Sequence, residues 1–212
     1  KKKVGTFGDM GIFSFAGNKI LTSGEGGAVV TNSKKQYEKL KLIRSHGRKT
    51  TGNYFSNVNA PTYLELGFNW RMSSITAALA LSQLNKIEKL IQSRRKHAVQ
   101  YQKNLQKLSE IKFHSEPKNY KHVYQLFNIQ LPSKTVRDNL MKFLAKKGIM
   151  SKVFFEPIHL TNHFKKYGFK QTNLSVTQKI SGTILSLPMY PDLSRNEINQ
   201  ITDSITQFME NK

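Results

Sequence analysis

The residues with the clearest potential for chemistry lie in a glycine-rich stretch near the start of the chain. Ser14 ends a short apolar run, and Lys19 follows five residues later on a segment flanked by glycine. A serine hydroxyl can hydrogen-bond an anion, and a lysine that is desolvated or close to another positive charge can attack a carbonyl to form a Schiff base. Residues 24–27, Gly-Glu-Gly-Gly, allow the backbone to approach a phosphate closely. On spacing alone, a hairpin with an exposed lysine is the competing interpretation.

The remaining polar residues do not predict a metal site. The histidines match no common metal-binding spacing and have few carboxylates nearby, which gives little support to metal-dependent hydrolysis. The chain has no cysteine, which excludes disulfides, thiolate nucleophiles and cysteine-based zinc sites. There is no apolar run of eighteen residues and no apolar stretch near the start that is typical of a signal peptide. We therefore expect a cytoplasmic protein that does not enter a membrane.

The charge balance favours anionic partners. The 212 residues include 34 Lys and Arg against 13 Asp and Glu, a net charge of +21. Such a field attracts nucleic acid, phosphate esters, an acidic surface or an acidic missing segment of the protein. The basic residues are spread along segments with helical patterning, and solvated helix faces explain most of them. An apolar content of 38% excludes a wholly disordered or collagen-like chain.

Two predicted strands, residues 12–15 and 28–31, hold the lysine turn between them. Asn32 or Ser33 then caps a helix that ends near Gly47. The next twenty or so residues, 48–70, have no periodicity, and loops of that length are usually functional or disordered. A helical pattern follows from residue 73 for more than thirty residues, which indicates two helices, one bent helix or a connector between domains.

The second half of the chain alternates strands and helices, which is typical of an α/β or α+β fold. The predicted strands are residues 124–131, 151–154 and 184–187, and the predicted helices are residues 135–147, 176–181 and 194–209. Ser194 and Glu197 have the spacing of a capping box. The opening of the chain supplies too few strands to build a sheet around the lysine turn. We therefore expect that an N-terminal portion is missing.

Further motifs accompany the lysine turn in order along the whole chain. They are residues 4–11, the Arg-Ser-His-Gly turn within 42–47, the Gly-Phe-Asn-Trp-Arg-Met sequence within 66–72 and the Leu-Pro-Met-Tyr-Pro sequence within 185–191. Together with Ser14, Lys19 and residues 24–27, which match a cofactor-lysine signature, these motifs resemble the DegT/DnrJ/EryC1/StrS family of pyridoxal-phosphate sugar aminotransferases.

The resemblance implies an α/β fold of the type I pyridoxal-phosphate transferase class, similar to aspartate aminotransferase. Residues 1–95 would be the C-terminal part of the large, cofactor-binding domain, with an interface loop and a connecting helix. Residues 96–212 would form the small C-terminal α/β domain. A homodimer is implied as well, because the active sites of the family form across a dimer interface.

The resemblance also implies a role for each matching residue. Lys19 would form a Schiff base with pyridoxal 5'-phosphate and then act as the acid and base that moves the substrate proton. Ser14 would hydrogen-bond the cofactor phosphate, and Asn69 would reach the phosphate of the neighbouring subunit's cofactor. Arg71 would support that interface or the substrate. His46 and His159 align with family histidines near the substrate pocket, although a structural role is an equal alternative. Tyr190 and Trp70 are interpreted as packing residues.

The implied reaction transfers an amino group, with glutamate as the expected donor, to a nucleotide-linked 4-keto-6-deoxysugar in surface-polysaccharide or amino-sugar biosynthesis. A 3-keto sugar or an amino-cyclitol precursor is an alternative acceptor. Lys19 argues against the dehydratase branch of the family, which carries histidine there. The family's pyridine-nitrogen Asp, its ring-stacking aromatic residue and its Gly-Thr/Ser phosphate loop lie upstream of the matching region. The chain alone is therefore expected to be a poor or inactive catalyst unless a longer polypeptide or a complementing chain supplies that half.

A second hypothesis comes from a different functional class. The charge of +21 and the absent cofactor half would also suit a catalytically inactive basic binding or regulatory protein of the same fold. Against it, a pure binding protein has no use for Ser14, Lys19 and Asn69. Nucleic acid is not an expected partner under the leading hypothesis.

Overall fold

The computed structural model describes residues 2–49, 62–167 and 174–211. The chain divides into two compact units, Lys1–Ile87 and Glu88–Lys212, called here the N-terminal unit and the C-terminal unit. The division into compact units does not indicate the function of either unit. The identification of residues 1–95 with a cofactor-binding domain and of 96–212 with a small domain therefore stays a prediction.

The N-terminal unit contains one antiparallel hairpin and two helices. Its elements are β1 (Gly11–Ser14), β2 (Gly27–Val30), α1 (Lys34–Ile43) and α2 (Ser74–Leu84). In the hairpin, Gly11 lies opposite Val30 and Ser14 lies opposite Gly27. Both predicted strands are therefore present, each beginning one residue earlier than expected.

The ends of helix α1 follow from its flanking residues. Ser33 caps the start, because its hydroxyl accepts a hydrogen bond from the Gln36 amide at 3.3 Å. Gly47 follows the end with a φ of 70°, a left-handed conformation that glycine adopts without strain, and its amide donates to the Leu42 carbonyl at 2.8 Å. The predicted start and end of this helix are confirmed.

The described part of the N-terminal unit buries no large apolar side chain. The buried residues are Gly11, Ser23, Ser45 and Gly47. Helix α2 is rich in alanine and leucine on every side, yet none of its residues is buried. A helix that is apolar all round is normally enclosed by protein. This unit therefore presents apolar surface that a folded protein ordinarily covers.

The C-terminal unit is built on a three-stranded antiparallel sheet with strand order β3-β4-β5. Its strands are β3 (Lys112–Phe113), β4 (Phe127–Gln130) and β5 (Ile184–Leu187). Its helices are α3 (Ile87–Leu105, whose first residue belongs to the N-terminal unit), α4 (Lys134–Lys146), α5 (Asn162–Lys166), α6 (Ser175–Thr183) and α7 (Arg195–Glu210), with a short 3₁₀ helix at Ile158–Leu160.

The apolar core of the C-terminal unit lies where the sheet meets helices α3, α4 and α7. Ile129 and Leu185 lie opposite each other on β4 and β5, and neither is exposed to solvent. The rings of Tyr101 and Phe127 stack with their centroids 4.7 Å apart. Burial of such side chains is the main source of stability in a domain of this size. This unit therefore contains a core of its own.

The structure differs from the sequence-based prediction at several elements, among them the 3₁₀ helix and α5, which the sequence pattern did not predict. The strand expected at residues 151–154 is wrong: one bridge joins Lys152 to Ser186, and the chain then turns towards the 3₁₀ helix. Strand β3 was missed because two residues give no alternating pattern. The long helical pattern after residue 73 breaks at residues 85 and 86, so the two-helix alternative is correct. The core of the aperiodic segment, residues 50–61, lies outside the described residues.

No helix in the described ranges is both long and apolar enough to cross a membrane.

Candidate active site

The turn that carries Lys19 is closed by hydrogen bonds to a single carbonyl group. The Phe15 carbonyl accepts from the Ser23 amide at 2.9 Å and from the Thr22 hydroxyl at 3.1 Å. The Phe15 amide donates to the Gly26 carbonyl at 2.9 Å and so continues the pairing of the two strands. Residues 15–23 therefore form a closed loop at the end of the hairpin rather than an open connection.

The glycines after this loop are required by their backbone conformation and, at Gly26, also by the neighbouring side chains. Gly24 and Gly26 have φ values of 81° and 139°, which other residues rarely adopt. A Cβ atom on Gly26 would lie 2.9 Å from Met72 Cε and 3.0 Å from Ser23 Oγ. The Ser23 hydroxyl donates to the Glu25 carbonyl at 2.7 Å. The Gly-Glu-Gly-Gly sequence thus permits a tight turn that packs against the Met72 side chain.

Ser14 and Lys19 both belong to this turn. Ser14 is the last residue of β1 and is exposed, and its hydroxyl oxygen accepts from the Ala16 amide at 3.4 Å, which leaves its proton available to a ligand. The Lys19 amide donates to the Ala16 carbonyl at 3.0 Å, and the residue is half-buried. Among the described residues, Lys19 makes no ion pair. The turn therefore offers an unpaired amine and a hydroxyl donor, the groups needed for carbonyl attack and for anion binding.

A second pair of turns brings His46 and Asn69 together in the N-terminal unit. Ser45 forms an antiparallel bridge with Asn69. On either side of this bridge, the His46 amide donates to the Phe68 carbonyl at 2.9 Å, and the Trp70 amide donates to the Arg44 carbonyl at 3.0 Å. Two motifs that are more than twenty residues apart in the sequence are therefore neighbours in the structure.

Two glycines allow this close approach. A Cβ atom on Gly67 would lie 2.0 Å from the Gly47 nitrogen, and one on Gly47 would lie 1.6 Å from the Glu65 carbonyl oxygen. His46 has a φ of 60°, an uncommon value for a residue with a side chain. The contact between the backbones of these turns excludes any larger residue at either glycine.

Arg71 is held by a buried serine rather than by a carboxylate. Its Nη1 atom donates to Ser45 Oγ at 3.1 Å. The Phe68 and Trp70 rings stack with centroids 4.2 Å apart, so Trp70 packs against a neighbour in its own motif although it is 66% exposed. The next residue, Met72, reaches the glycine turn at Gly26. The segment that carries Asn69 and Arg71 thus leads directly to the lysine turn.

His159 belongs to the C-terminal unit. It lies in the 3₁₀ helix, and its Nε2 atom is 3.3 Å from the Gln178 side-chain nitrogen on helix α6. Its role in a substrate pocket stays a prediction.

Helix α3 anchors the Leu-Pro-Met-Tyr-Pro motif through backbone carbonyls. Burial raises the pKa of Tyr101, so its hydroxyl stays protonated and donates to the Pro188 carbonyl at 2.9 Å. The other contacts are Arg94 to the Met189 carbonyl, and Ser93 and His97 to the Pro191 carbonyl. Tyr190 itself points its hydroxyl at Glu197, 3.1 Å away. In the C-terminal unit this motif is therefore fixed to the fold, and sequence reasoning missed the residues of α3 that hold it.

The described residues contain no cluster of three or more histidine, aspartate or glutamate side chains that could hold a metal ion.

Comparison with known proteins identifies similar chains along the whole length. The family model of the DegT/DnrJ/EryC1/StrS aminotransferase family matches residues 1–206. GDP-perosamine synthase of Escherichia coli O157:H7 is 34% identical over 211 residues, which cover 100% of this chain and 55% of that protein. The pleiotropic regulatory protein of Geobacillus stearothermophilus is 31% identical over 211 residues, which cover 98% of this chain and 54% of that protein.

Among solved structures, Helicobacter pylori PseC, an aminotransferase involved in the biosynthesis of pseudoaminic acid, matches with a TM-score of 0.90 at 29% identity. The match covers 100% of this chain and 56% of PseC. The predicted α/β fold of the type I transferase class is thereby confirmed. The chain spans about half the length of the curated relatives it matches.

Proposed function

Because this chain belongs to the DegT/DnrJ/EryC1/StrS aminotransferase family, we propose that it is the C-terminal part of an enzyme that transfers an amino group to a nucleotide-linked keto-deoxysugar, with pyridoxal 5'-phosphate as cofactor and glutamate as the expected donor. The observation that carries the proposal is the lysine turn. It combines Lys19, whose amine makes no ion pair with any described residue, with the hydroxyl donor of Ser14 in the sequence that marks the family. A cytoplasmic location is part of the proposal.

The residues of the lysine turn fit the cofactor in chemical type. Pyridoxal phosphate supplies an electron sink that stabilises negative charge on a substrate carbon. Lys19 Nζ would hold it covalently and would then carry the proton to and from that carbon. The Ser14 hydroxyl would donate to a phosphate oxygen. The glycine turn at residues 24–27 would let the phosphate approach the backbone. Asn69 would donate its side-chain amide to the phosphate bound by a second subunit.

We assign His46, Arg71 and His159 to the substrate side of the site. Both histidines can act as hydrogen-bond donors to sugar or phosphate oxygens, whichever ring nitrogen is protonated. The net charge of +21 suits an acceptor that carries a nucleotide diphosphate, and Arg48 or Lys49 beside the His46 turn could contribute to its binding.

The proposal includes two further pieces of protein: an N-terminal half and a second subunit. Support comes from helix α2, where Ile75, Leu81 and Leu84 are 84%, 60% and 52% exposed although they project from different sides of the helix. Apolar surface of this kind on several sides supports a proposal with more than one covering partner. The N-terminal half would also supply the partner for the cofactor's ring nitrogen.

An intact-mass measurement tests the proposal on protein purified from its source. Borohydride reduction fixes a Schiff base, so one spectrum reports both the length of the polypeptide and the attached cofactor. We expect a chain heavier than 24.3 kDa with a pyridoxyl group on Lys19, and no such group on the Lys19→Ala variant. A 24.3 kDa chain without the group, or a group that persists in Lys19→Ala, would contradict the proposal.

The second candidate, a basic binding or regulatory protein of the same fold, has two observations in its favour. They are the net charge of +21 and the similarity to a protein named as a pleiotropic regulator. A gel-shift titration with mixed-sequence DNA distinguishes the two candidates. Tight binding that weakens steeply as salt increases would favour the binding protein, and no shift at low salt would remove it.

A further inference from the structure

Two serines are the buried side chains of the described part of the N-terminal unit. Ser23 and Ser45 are each 2% exposed, and the other buried residues of the unit are glycines. Serine is mostly a surface residue, and a hydroxyl that leaves water must find a hydrogen-bond partner. Because the described part of this unit buries no large apolar side chain, these two hydroxyls do not fill a core.

Ser23 supports the turn that carries Lys19 at two points: its backbone amide helps to close the loop at Phe15, and its side chain holds the glycine turn that follows. Its amide donates to the Phe15 carbonyl at 2.9 Å and its hydroxyl donates to the Glu25 carbonyl at 2.7 Å. Ser23 therefore joins the first residue after β1 to the glycine turn before β2. The bond between the Ser23 amide and the Phe15 carbonyl closes residues 15–23 into a loop, and Lys19 lies within it. The closure reduces the conformational freedom of Lys19.

Ser45 joins the two motif turns that carry His46 and Asn69. Its backbone pairs with Asn69, and its hydroxyl oxygen accepts from Arg71 Nη1 at 3.1 Å. The backbone bridge fixes the register of the two turns. The hydrogen bond from Arg71 to the Ser45 hydroxyl holds the Arg71 side chain, two residues beyond Asn69. A hydrogen bond from a charged guanidinium is stronger than one between neutral groups.

We propose that Ser23 and Ser45 are positioning residues of the active site: Ser23 orients Lys19, and Ser45, through Arg71, orients Asn69. This inference rests on the proposed function, because it assumes that Lys19 and Asn69 bind the cofactor. It gives the hydroxyl of Ser45 and the guanidinium of Arg71 one joint task. Removing the Arg71 side chain leaves the Ser45 hydroxyl buried without this donor, and removing the Ser45 hydroxyl leaves the Arg71 side chain free to turn away.

The test uses the full-length protein and compares Ser23→Ala and Ser45→Ala with Ser109→Ala, an exposed serine of the C-terminal unit. Two quantities are measured: the dissociation constant of pyridoxal phosphate and the fraction of chain that borohydride labels on Lys19. We expect Ser45→Ala to raise the dissociation constant about tenfold, the equivalent of one lost charge-assisted hydrogen bond. Ser23→Ala should lower the labelled fraction, and Ser109→Ala should change neither quantity.

A conservative variant and a double variant distinguish a positioning role from a general effect on the stability of the fold. Ser45→Thr keeps the hydroxyl and should restore cofactor binding, and Ser45→Ala combined with Arg71→Ala should cost no more than either change alone. Additive effects of the two changes, or alanine variants that melt earlier yet bind and label like the unsubstituted protein, would overturn the inference.

The same experiment distinguishes failure of the positioning role from failure of the proposed function. If Lys19→Ala abolishes the label and Asn69→Ala weakens cofactor binding while both serine variants behave like Ser109→Ala, the positioning role alone is wrong. If Lys19→Ala leaves the label in place, the proposed function is wrong, and the positioning role falls with it.

Discussion

Arg94 Nη1 lies 2.9 Å from the carbonyl oxygen of Met189, so a buried cation binds the backbone of the Leu-Pro-Met-Tyr-Pro motif. The same nitrogen donates to the carbonyls of Tyr124 and Gln125, at 3.2 and 3.1 Å. Burial lowers the pKa of Arg94, and none of the described carboxylates pairs with it. Three backbone carbonyl dipoles stabilise its charge, and this one side chain thereby links helix α3 to two other segments of the C-terminal unit.

Replacing Arg94 with methionine should destabilise the C-terminal unit. Methionine fills part of the volume but leaves three backbone carbonyls without this donor, a loss of about 2–4 kcal/mol in the free energy of unfolding. Urea unfolding followed by circular dichroism measures it. The matched control is Arg195→Met, since Arg195 is exposed at the start of helix α7 and its loss should cost under about 0.5 kcal/mol. Equal effects at both positions would contradict the role given to Arg94.

His122 makes the stability of the C-terminal unit depend on pH. Its Nδ1 atom accepts from the Tyr124 amide at 3.0 Å, which requires a neutral imidazole with the proton on Nε2. Burial lowers the pKa of His122, and the nearby His114 lowers it further, while the carboxylate of Glu116, itself paired with Arg95, acts in the opposite direction.

The sign of the pH effect follows from that direction. The folded state disfavours protonation of His122, so its contribution is complete above the unfolded pKa of about 6.5 and is lost as the pH falls towards the lower folded value. We therefore expect the free energy of unfolding to decrease on acidification below that pH, and less so in His122→Gln. His163→Gln, an exposed histidine of the same unit, should retain the full dependence. A profile of His122→Gln that overlays that of the unsubstituted protein would refute the assignment.

Gly67→Ala should disrupt the pairing of the two motif turns. The new Cβ would lie 2.0 Å from the Gly47 backbone nitrogen, and a backbone atom cannot move aside as a flexible side chain can. We expect a loss of about 3 kcal/mol or more in stability, or a failure to bind cofactor, measured by thermal unfolding and by the pyridoxal phosphate dissociation constant.

Gly182→Ala provides the contrast for Gly67→Ala. Gly182 lies in helix α6 with nothing within 4 Å of its Cβ position, so alanine should be neutral or stabilising by about 0.5–1 kcal/mol. Similar losses at both glycines would mean that the close backbone contact at Gly67 is not the cause.

Local signals predicted much of this structure, and long-range pairing accounts for most of the rest. Ser33 and the Ser194 capping box lie where sequence spacing put them, because a helix cap depends on neighbouring residues only. The lysine turn was visible from its glycines. The bridge between Ser45 and Asn69 was not, since it joins residues whose separation carries no periodic signal. The burial of Ser23 and Ser45 could not be predicted for a related reason. Serine is mostly a surface residue, so its presence in the sequence does not indicate burial, which depends on how the turns fold.

Under the proposed function, the exposed apolar side chains of helix α2 should matter only in the assembled enzyme. Ile75 is 84% exposed, so Ile75→Glu removes little packing within the described part of the chain and should change the free energy of unfolding of the isolated 212-residue chain by no more than about 0.5 kcal/mol. In the proposed full-length dimer the same change would bury a carboxylate against an apolar partner, a cost that should prevent or weaken assembly.

Analytical ultracentrifugation of the full-length protein measures that effect as a shift from dimer to monomer or to aggregate. Val99→Glu is the matched control, because Val99 is also an exposed apolar residue, 64% accessible, but lies on helix α3 in the unit that has its own core. If Ile75→Glu assembles like Val99→Glu, then helix α2 remains solvated in the complete protein, and the apolar surface of the N-terminal unit is not an interface. A dimer lost with Ile75→Glu alone would place this helix against the protein that completes the active site.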